Sequence, residues 1–136
     1  MTKKTRIMAI GDIHGDTGLV KKLAKMAKDA KVDIIILPGD LTWLEQSTKN
    51  LIGPFIKENK KVLIMPGNHE SMATIDFLTQ VYPNTKNIHG IGIKENDIGI
   101  FGVGYADVGP FSIDEKEVTK ALEKGYAQIK NMKKKI

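Results

Sequence analysis

A glycine-flanked acid, followed two residues later by a histidine, is the first feature of the sequence that could do chemistry. Asp12 and His14 stand between Gly11 and Gly15, directly after the apolar run 8–10. Residues two apart in an extended strand point the same way, so we expect the Asp12 carboxylate and the His14 imidazole to face one point. The glycines let the chain leave the strand sharply while an ion or phosphate approaches the main chain. The pattern predicts half of a metal site at a strand end.

The same type of ending recurs twice further along the chain. The apolar run 34–37 leads into Gly39 and an acid, and the run 62–65 leads into Gly67, an asparagine and a histidine. The carboxyl ends of parallel strands meet at one edge of a sheet, where open α/β sheets bind ligands. The candidate residues that we expect to gather at this edge are Asp12, His14, Asp40, Asn68 and His69.

This mixture of oxygen and nitrogen ligands predicts a particular class of ion. It suits divalent Mn, Fe, Zn, Co or Ni, with Mn favoured, better than Ca or Mg, which prefer oxygen alone. Asp40 lies on the central ending and could bridge two ions, which together would hold a phosphate and activate a bound water. Asn68, as a neutral ligand, would limit negative charge where a phosphate approaches. We therefore expect up to two divalent ions here.

The elements that must position these residues alternate between strands and helices. Strands are predicted at 6–10, 32–37 and 62–65, and an amphipathic helix at 19–27 separates the first two. A helical stretch between the second and third strands is expected to kink or split at Gly53-Pro54. A strand, a helix and a second strand in this order predict a parallel crossover, and hence an α/β fold.

The second half of the chain predicts shorter elements. A helix is expected over 71–81, and two strands, 87–93 and 97–103, are expected to form a hairpin at an antiparallel edge of the sheet. Ser112 to Glu115 has the form of a capping box that opens a last helix. The predicted buried stripe of that helix is Val118, Ala121, Leu122, Tyr126 and Ile129.

Composition limits the class of protein and its partners. A chain of 136 residues with 41% hydrophobic and 27% charged residues is expected to form one domain over 1–136. Cysteine is absent and no targeting segment is apparent, which favours the cytoplasm and no membrane partner. The net charge of +5 comes from 21 Lys and Arg against 16 Asp and Glu, and most of the excess lies on helix faces and in the run 130–135. Charge alone therefore gives little reason to expect nucleic acid binding.

Three segments resemble the first three signature motifs of the calcineurin-like metallophosphoesterases. They are Gly11-Asp12-Ile13-His14-Gly15, Gly39-Asp40 and Gly67-Asn68-His69-Glu70. The resemblance implies a mixed-sheet sandwich with flanking helices and a hydrolase, a phosphodiesterase or phosphatase, that uses a metal-bound hydroxide on a small phosphoester. It also implies that Asp12 and His14 bind the first ion, that Asp40 bridges, and that Asn68 binds the second. His69 would be catalytic, contacting the phosphate and assisting the leaving group.

The sequence departs from the family pattern after these motifs. The family adds a lone histidine after a later strand and then a Gly-His-x-His motif, and neither occurs here. The run 133–136 is predicted to be the exit of the last helix and the first residue of the strand that would lead to that histidine. Our hypothesis is a C-terminally truncated phosphoesterase, incomplete as a domain, with weak metal binding and impaired hydrolysis. The alternative is a non-catalytic scaffold of the same fold, and self-pairing into a homo-oligomer through open sheet edges is also an open alternative.

Simpler interpretations accompany these residues. Asp and Asn after glycine are also turn formers and helix caps, and capping is the expected role of Asp16. His89 is expected at the surface at a strand end, with a role as a replacement ligand as the alternative, and Trp43 either lines the substrate edge or packs. Glycines spaced by three and two residues do not match a dinucleotide-binding loop, and no Gly-Lys-Ser/Thr follows as in a P-loop.

Overall fold

Parallel pairing of consecutive strands builds the larger of two sheets. The structure, a computed structural model, describes residues 4–136. This sheet has the order β1-β2-β3-β4, with every neighbouring pair parallel. Its strands are β1 (Ile7–Ala9), β2 (Ile34–Pro38), β3 (Lys61–Met65) and β4 (Thr85–Asn87). The α/β prediction is therefore confirmed, and the first three predicted strands fall within a few residues of the observed ones.

A smaller mixed sheet faces the first. Its order is β5-β6-β7, with β5 and β6 antiparallel and β6 and β7 parallel. Its strands are β5 (Ile93–Glu95), β6 (Ile98–Ile100) and β7 (Lys134–Lys135). The helices in the part of the chain that the structure describes are α1 (Thr17–Asp29), α2 (Gly53–Lys57), α3 (Met72–Val81) and α4 (Glu115–Ile129). None of the helices in residues 4–136 is long and apolar enough to span a bilayer.

The alternation of β2 side chains divides the core in two. Ile35 and Leu37 belong to a buried cluster with residues of α1, α2 and α3, while Ile34 and Ile36 belong to a second cluster with Ile98 and Ile100 of β6. Successive strand side chains point to opposite faces, so one strand serves both clusters. The two sheets form a sandwich with helices outside, as the resemblance implied.

The prediction of a helix interrupted at Gly53-Pro54 is wrong. Helix α2 begins at Gly53 and holds Pro54 in its first turn. Proline is tolerated there because the first N–H groups of a helix have no intrahelical partner. Leu51 and Ile52 are fully buried, but they precede the helix.

The predicted hairpin exists, but the sheet to which it was assigned is wrong. Strand β5 turns into β6 around Asn96, whose φ is 54°, and this pair belongs to the second sheet instead of edging the first. The predicted strand 87–93 is also wrong, because 85–87 pairs with β3 as a fourth parallel strand. The sheet changes because Ile98 and Ile100 pack over Ile34 and Ile36.

Helix α4 begins two residues later than the predicted capping box implies. The Asp114 side chain accepts from the Glu117 N–H at 2.8 Å, and the Glu117 side chain accepts from the Asp114 N–H at 3.0 Å. This reciprocal pair replaces the predicted box from Ser112 to Glu115. A strand lies in the predicted region, but β7 (Lys134–Lys135) begins two residues before Ile136, the residue at which the strand was expected to start.

Candidate metal centre

Three parallel strands end side by side, and their loops are joined through the backbone. The His14 N–H donates to the Asp40 carbonyl and the Gly15 N–H donates to the Leu41 carbonyl, both at 2.9 Å. A Cβ placed on Gly39 would lie 2.8 Å from the Cα of Gly67, so the second and third loops also touch. The strand endings therefore meet at one edge of the sheet, as the sequence predicted.

A left-handed backbone conformation, and not alternation along a strand, sets the orientation of Asp12 and His14. Strand β1 ends at Ala9, and Asp12, His14 and Asp40 have φ values of 54°, 47° and 49°. Acidic and histidine residues adopt this region more readily than most non-glycine residues. The prediction that Asp12 and His14 share one face of an extended strand is therefore wrong, although an Asp12 carboxylate oxygen still lies 3.8 Å from His14 Nε2.

Four of the five candidate residues cluster tightly. Ligand atoms of His14, Asp40 and His69 all lie within 4.8 Å of one another. The end of the Asn68 amide lies 3.0 and 3.2 Å from the two Asp40 carboxylate oxygens. Asp12 stands at the border of this group with its side chain 79% exposed. Their roles as ligands stay predictions, but the geometry brings the donors together.

The unsatisfied polar atoms of the cluster fit a cation. His14 Nδ1 and His69 Nδ1 are buried without a hydrogen-bond partner, in a protein where buried polar atoms are normally paired. The Asn68 amide can donate N–H bonds to Asp40 in one orientation. In the other its oxygen faces the carboxylate, an arrangement of two acceptors that a cation between them would satisfy. The donor set therefore fits a divalent ion of the predicted class.

A buried glutamate hydrogen-bonds to two of the loops that carry the cluster. Glu70 is fully buried, and its Oε1 accepts from the Thr42 N–H at 2.7 Å and the Thr42 hydroxyl at 2.8 Å. Its Oε2 accepts from the Gly67 N–H at 2.9 Å. One carboxylate thus fixes the loops after β2 and β3 relative to each other. The sequence placed Glu70 next to the ligands, but it contained no sign that Thr42 would be its partner.

An aromatic ring covers one side of the histidines. Trp43 stacks on His69 with ring centroids 4.7 Å apart and an interplanar angle of 28°, and it meets His14 edge-on at 5.2 Å. Of the two sequence-based alternatives, the ring contacts show packing, and a role in lining the substrate edge stays a prediction. In the sequence, the only sign that Trp43 lies at the site was its position three residues after Asp40.

His89 does not join the cluster, and it is half-buried where the sequence predicted a surface residue at a strand end. Its Nδ1 accepts from the Gly104 N–H at 2.9 Å, and its ring meets Tyr105 edge-on. Burial, and secondarily the charge of Lys124, lower the pKa of His89 below its usual value. Asp16, by contrast, caps α1 as predicted, accepting from the Leu19 N–H at 2.8 Å.

A loop that the sequence did not connect to the site reaches it through a glycine. A Cβ on Gly109, whose φ is 94°, would lie 2.5 Å from the Asn68 side-chain nitrogen. The Tyr105 N–H of the same loop donates to the Pro66 carbonyl at 2.7 Å. The loop therefore packs against the third motif, a long-range contact with no local signal.

Comparison with known proteins decides the family. Residues 5–123 match the family described as Metallophos, calcineurin-like phosphoesterase. The chain belongs to this family. The metallophosphoesterase resemblance seen in the three motifs is thereby confirmed. No curated protein matches the chain.

Two solved structures share the fold of this chain. The crystal structure of TT1561 of Thermus thermophilus superposes with a TM-score of 0.79 at 19% identity, over 96% of this chain and 66% of that one. A second solved structure gives a TM-score of 0.69 at 13% identity, over 90% of this chain and 63% of its own. The chain thus spans slightly less than two thirds of each, and at these identities the likeness shows the fold alone.

Proposed function

We propose that the chain hydrolyses small phosphoesters with the help of divalent metal ions, which are held at the sheet edge where Asp40 lies. One observation carries this proposal: donor atoms of His14, Asp40 and His69, which could hold an ion or contact its phosphate, lie within 4.8 Å of one another at the sheet edge of a metallophosphoesterase-family chain. Family membership supports metal-dependent phosphoester hydrolysis in general. Phosphodiesters as preferred substrates, Mn as the favoured metal and the cytoplasm as location are finer parts of the proposal.

The residues divide into ligands and a phosphate contact. Asp12, His14, Asp40 and Asn68 would hold the ions, which when bound would supply a Lewis acid and a deprotonated water near neutral pH. His69 lies beside these ligands, where its imidazole could contact a phosphate oxygen and give a proton to the leaving group. The stacked Trp43 ring limits the orientations of that imidazole.

We also propose that turnover is slow. The chain has three histidines, and His89 uses its Nδ1 on the Gly104 backbone. His14 is then the only histidine of these 136 residues that is assigned to the ions. A second ion would rest on Asp40 and Asn68, so we expect weak metal binding.

The test is hydrolysis of bis-p-nitrophenyl phosphate and p-nitrophenyl phosphate with Mn²⁺. We expect slow, metal-dependent release that falls at least about 100-fold in Asp40→Ala, since even indirect partners of metal ligands change function by 10- to 100-fold. Asp29→Ala, an exposed acid on α1, is the matched control. Equal rates in wild type and Asp40→Ala would contradict the proposal, and fast turnover would contradict the slow-turnover part. Bound Mn²⁺ without hydrolysis would favour the non-catalytic alternative.

A further inference from the structure

The side chain of Trp43 is held at the candidate metal centre with half of its surface in water. It is the single tryptophan of the chain, and it is 49% exposed. Its ring centroid lies 4.7 Å from that of His69 and 5.2 Å from that of His14. A large aromatic ring therefore stands next to the position where a phosphate would bind, open to a ligand.

Two polar anchors hold the segment on either side of Trp43. On one side the Thr42 N–H and hydroxyl donate to the buried Glu70 carboxylate. On the other, the Glu45 carboxylate accepts from the Ser71 N–H at 2.8 Å and from the hydroxyls of Ser71 and Thr74. The Ser71 hydroxyl first, and then that of Thr74, lower the pKa of Glu45. The indole is thus pre-organised, which reduces the ordering cost of binding.

The backbone of this segment keeps apolar side chains out of the core. Leu44 and Glu45 have φ values of 49° and 59°, a left-handed conformation that is uncommon for a leucine. Leu44, like Trp43, is 49% exposed. Core packing does not explain this display, because neither side chain gains full burial from it. Strained backbone that persists in this way is concentrated at ligand-binding sites.

We propose that Trp43 binds an aromatic ring in the organic group of the phosphoester substrate. This inference rests on the proposed function and adds the substrate class. An indole face accepts any planar ring by offset stacking or an edge contact, without hydrogen-bond readout. Because Trp43 adjoins His14 and His69, the ring it takes must be near the phosphorus, as in an aryl ester or a nucleotide.

The experiment compares matched phosphate esters by calorimetry in the presence of Mn²⁺. Phenyl phosphate is paired with methyl phosphate, and adenosine 5′-monophosphate with ribose 5-phosphate. We expect the aromatic member of at least one pair to bind about tenfold more tightly, in the range of measured stacking contributions. The pair that shows the preference separates an aryl ester from a nucleotide. In the wild type, quenching of the single tryptophan reports contact with the ring directly.

Variants make the result specific to Trp43. In Trp43→Ala the preference should fall to within about twofold, and in Trp43→Phe part of it should return. Tyr126→Ala, which removes an aromatic side chain of equal 49% exposure on α4, should leave the preference unchanged. Equal binding of both members of each pair, with inorganic phosphate still bound, would overturn this inference and leave the proposed function standing. Failure to bind any of these monoesters, inorganic phosphate or the diester bis-p-nitrophenyl phosphate would overturn both.

Discussion

At the scale of the residue, Glu70 joins two of the loops that form the candidate site. Its carboxylate is fully buried and accepts from Thr42 twice and from Gly67 once. Hydrogen bonds to a charged acceptor are stronger than neutral ones, and a buried donor that loses its acceptor is costly. The hydrogen bonds of Glu70 therefore hold the loops after β2 and β3 together and also stabilise the folded chain.

Replacing Glu70 with glutamine should destabilise the chain by about 2 kcal/mol. Whichever way the amide turns, an NH₂ group faces a backbone or hydroxyl donor where an oxygen had accepted. The measurement is urea unfolding at equilibrium, with Glu123→Gln on the exposed surface of α4 as the matched control. An unfolding free energy of Glu70→Gln equal to that of the control would contradict the bracing role.

Replacing Gly67 with alanine should abolish metal binding. The added Cβ would overlap both the Oδ1 atom and the backbone nitrogen of Asp40, so the β2 and β3 loops would have to separate. Gly11→Ala is the control, since a Cβ there would meet only Pro38 Cγ at 3.9 Å. Calorimetry with Mn²⁺ measures both variants. Wild-type affinity in Gly67→Ala would show that Asp40 is not a ligand.

The sequence revealed the residue types of the site but not their geometry. Glycine followed by Asp or Asn after three apolar runs was enough to place Asp40 and Asn68 together. The left-handed φ values of Asp12 and His14 were not predictable from the sequence. The backbone at His14 is tied to the neighbouring strand's loop, because its N–H donates to the Asp40 carbonyl. Local periodicity carries no information about such partners.

At the scale of the element, close backbone approach determines which face of α4 is buried. A Cβ on Gly99 would lie 2.6 Å from Ile129 Cβ, and one on Gly125 would lie 2.8 Å from the Phe101 ring. The helix therefore packs through Gly125 and Ile129, and Leu122 and Tyr126 remain 42% and 49% exposed. The predicted stripe included Leu122 and Tyr126, because an apolar pattern does not show where glycines allow the backbones to come into contact.

Truncating one apolar residue on each face of α4 should distinguish the buried face from the exposed face by the loss of stability. Ile129→Ala should cost about 2–5 kcal/mol, because it leaves a cavity in a fully buried position. Leu122→Ala should cost less than about 1 kcal/mol, since much of that side chain is already in water. Denaturant unfolding of both variants gives the comparison. Equal losses would mean that α4 is rotated from the described packing.

The connection between the two sheets should weaken in acid. Neutral His89 Nδ1 accepts from Gly104, and burial lowers the pKa of His89 in the folded chain. The unfolded chain therefore takes up the proton first, and stability falls as pH drops below about 6.5. In His89→Gln that part of the pH dependence should disappear, measured as unfolding free energy from about pH 7.5 to about pH 5. An unchanged slope in the variant would contradict it.

At the scale of the whole molecule, the parallel strands that create the site could be predicted from the sequence, but the second sheet could not. Apolar runs, β-branched over most of β2, mark β2 and β3 because both faces of these strands are buried. The strands β4, β5 and β6 are three residues each, too short for a periodic signal. Their assignment depends on long-range pairing, and this is why the hairpin was attached to the wrong sheet.

One titration tests most directly whether this molecule gathers its ligands into a metal site. Mn²⁺ is added to the wild-type chain and to Asp40→Ala, with binding measured by calorimetry and by the fluorescence of Trp43, whose ring meets both histidines. We predict saturable binding with a change in Trp43 emission in the wild type, weakened at least about 100-fold in the variant. No saturable binding, or equal affinity in Asp40→Ala, would contradict the metal site.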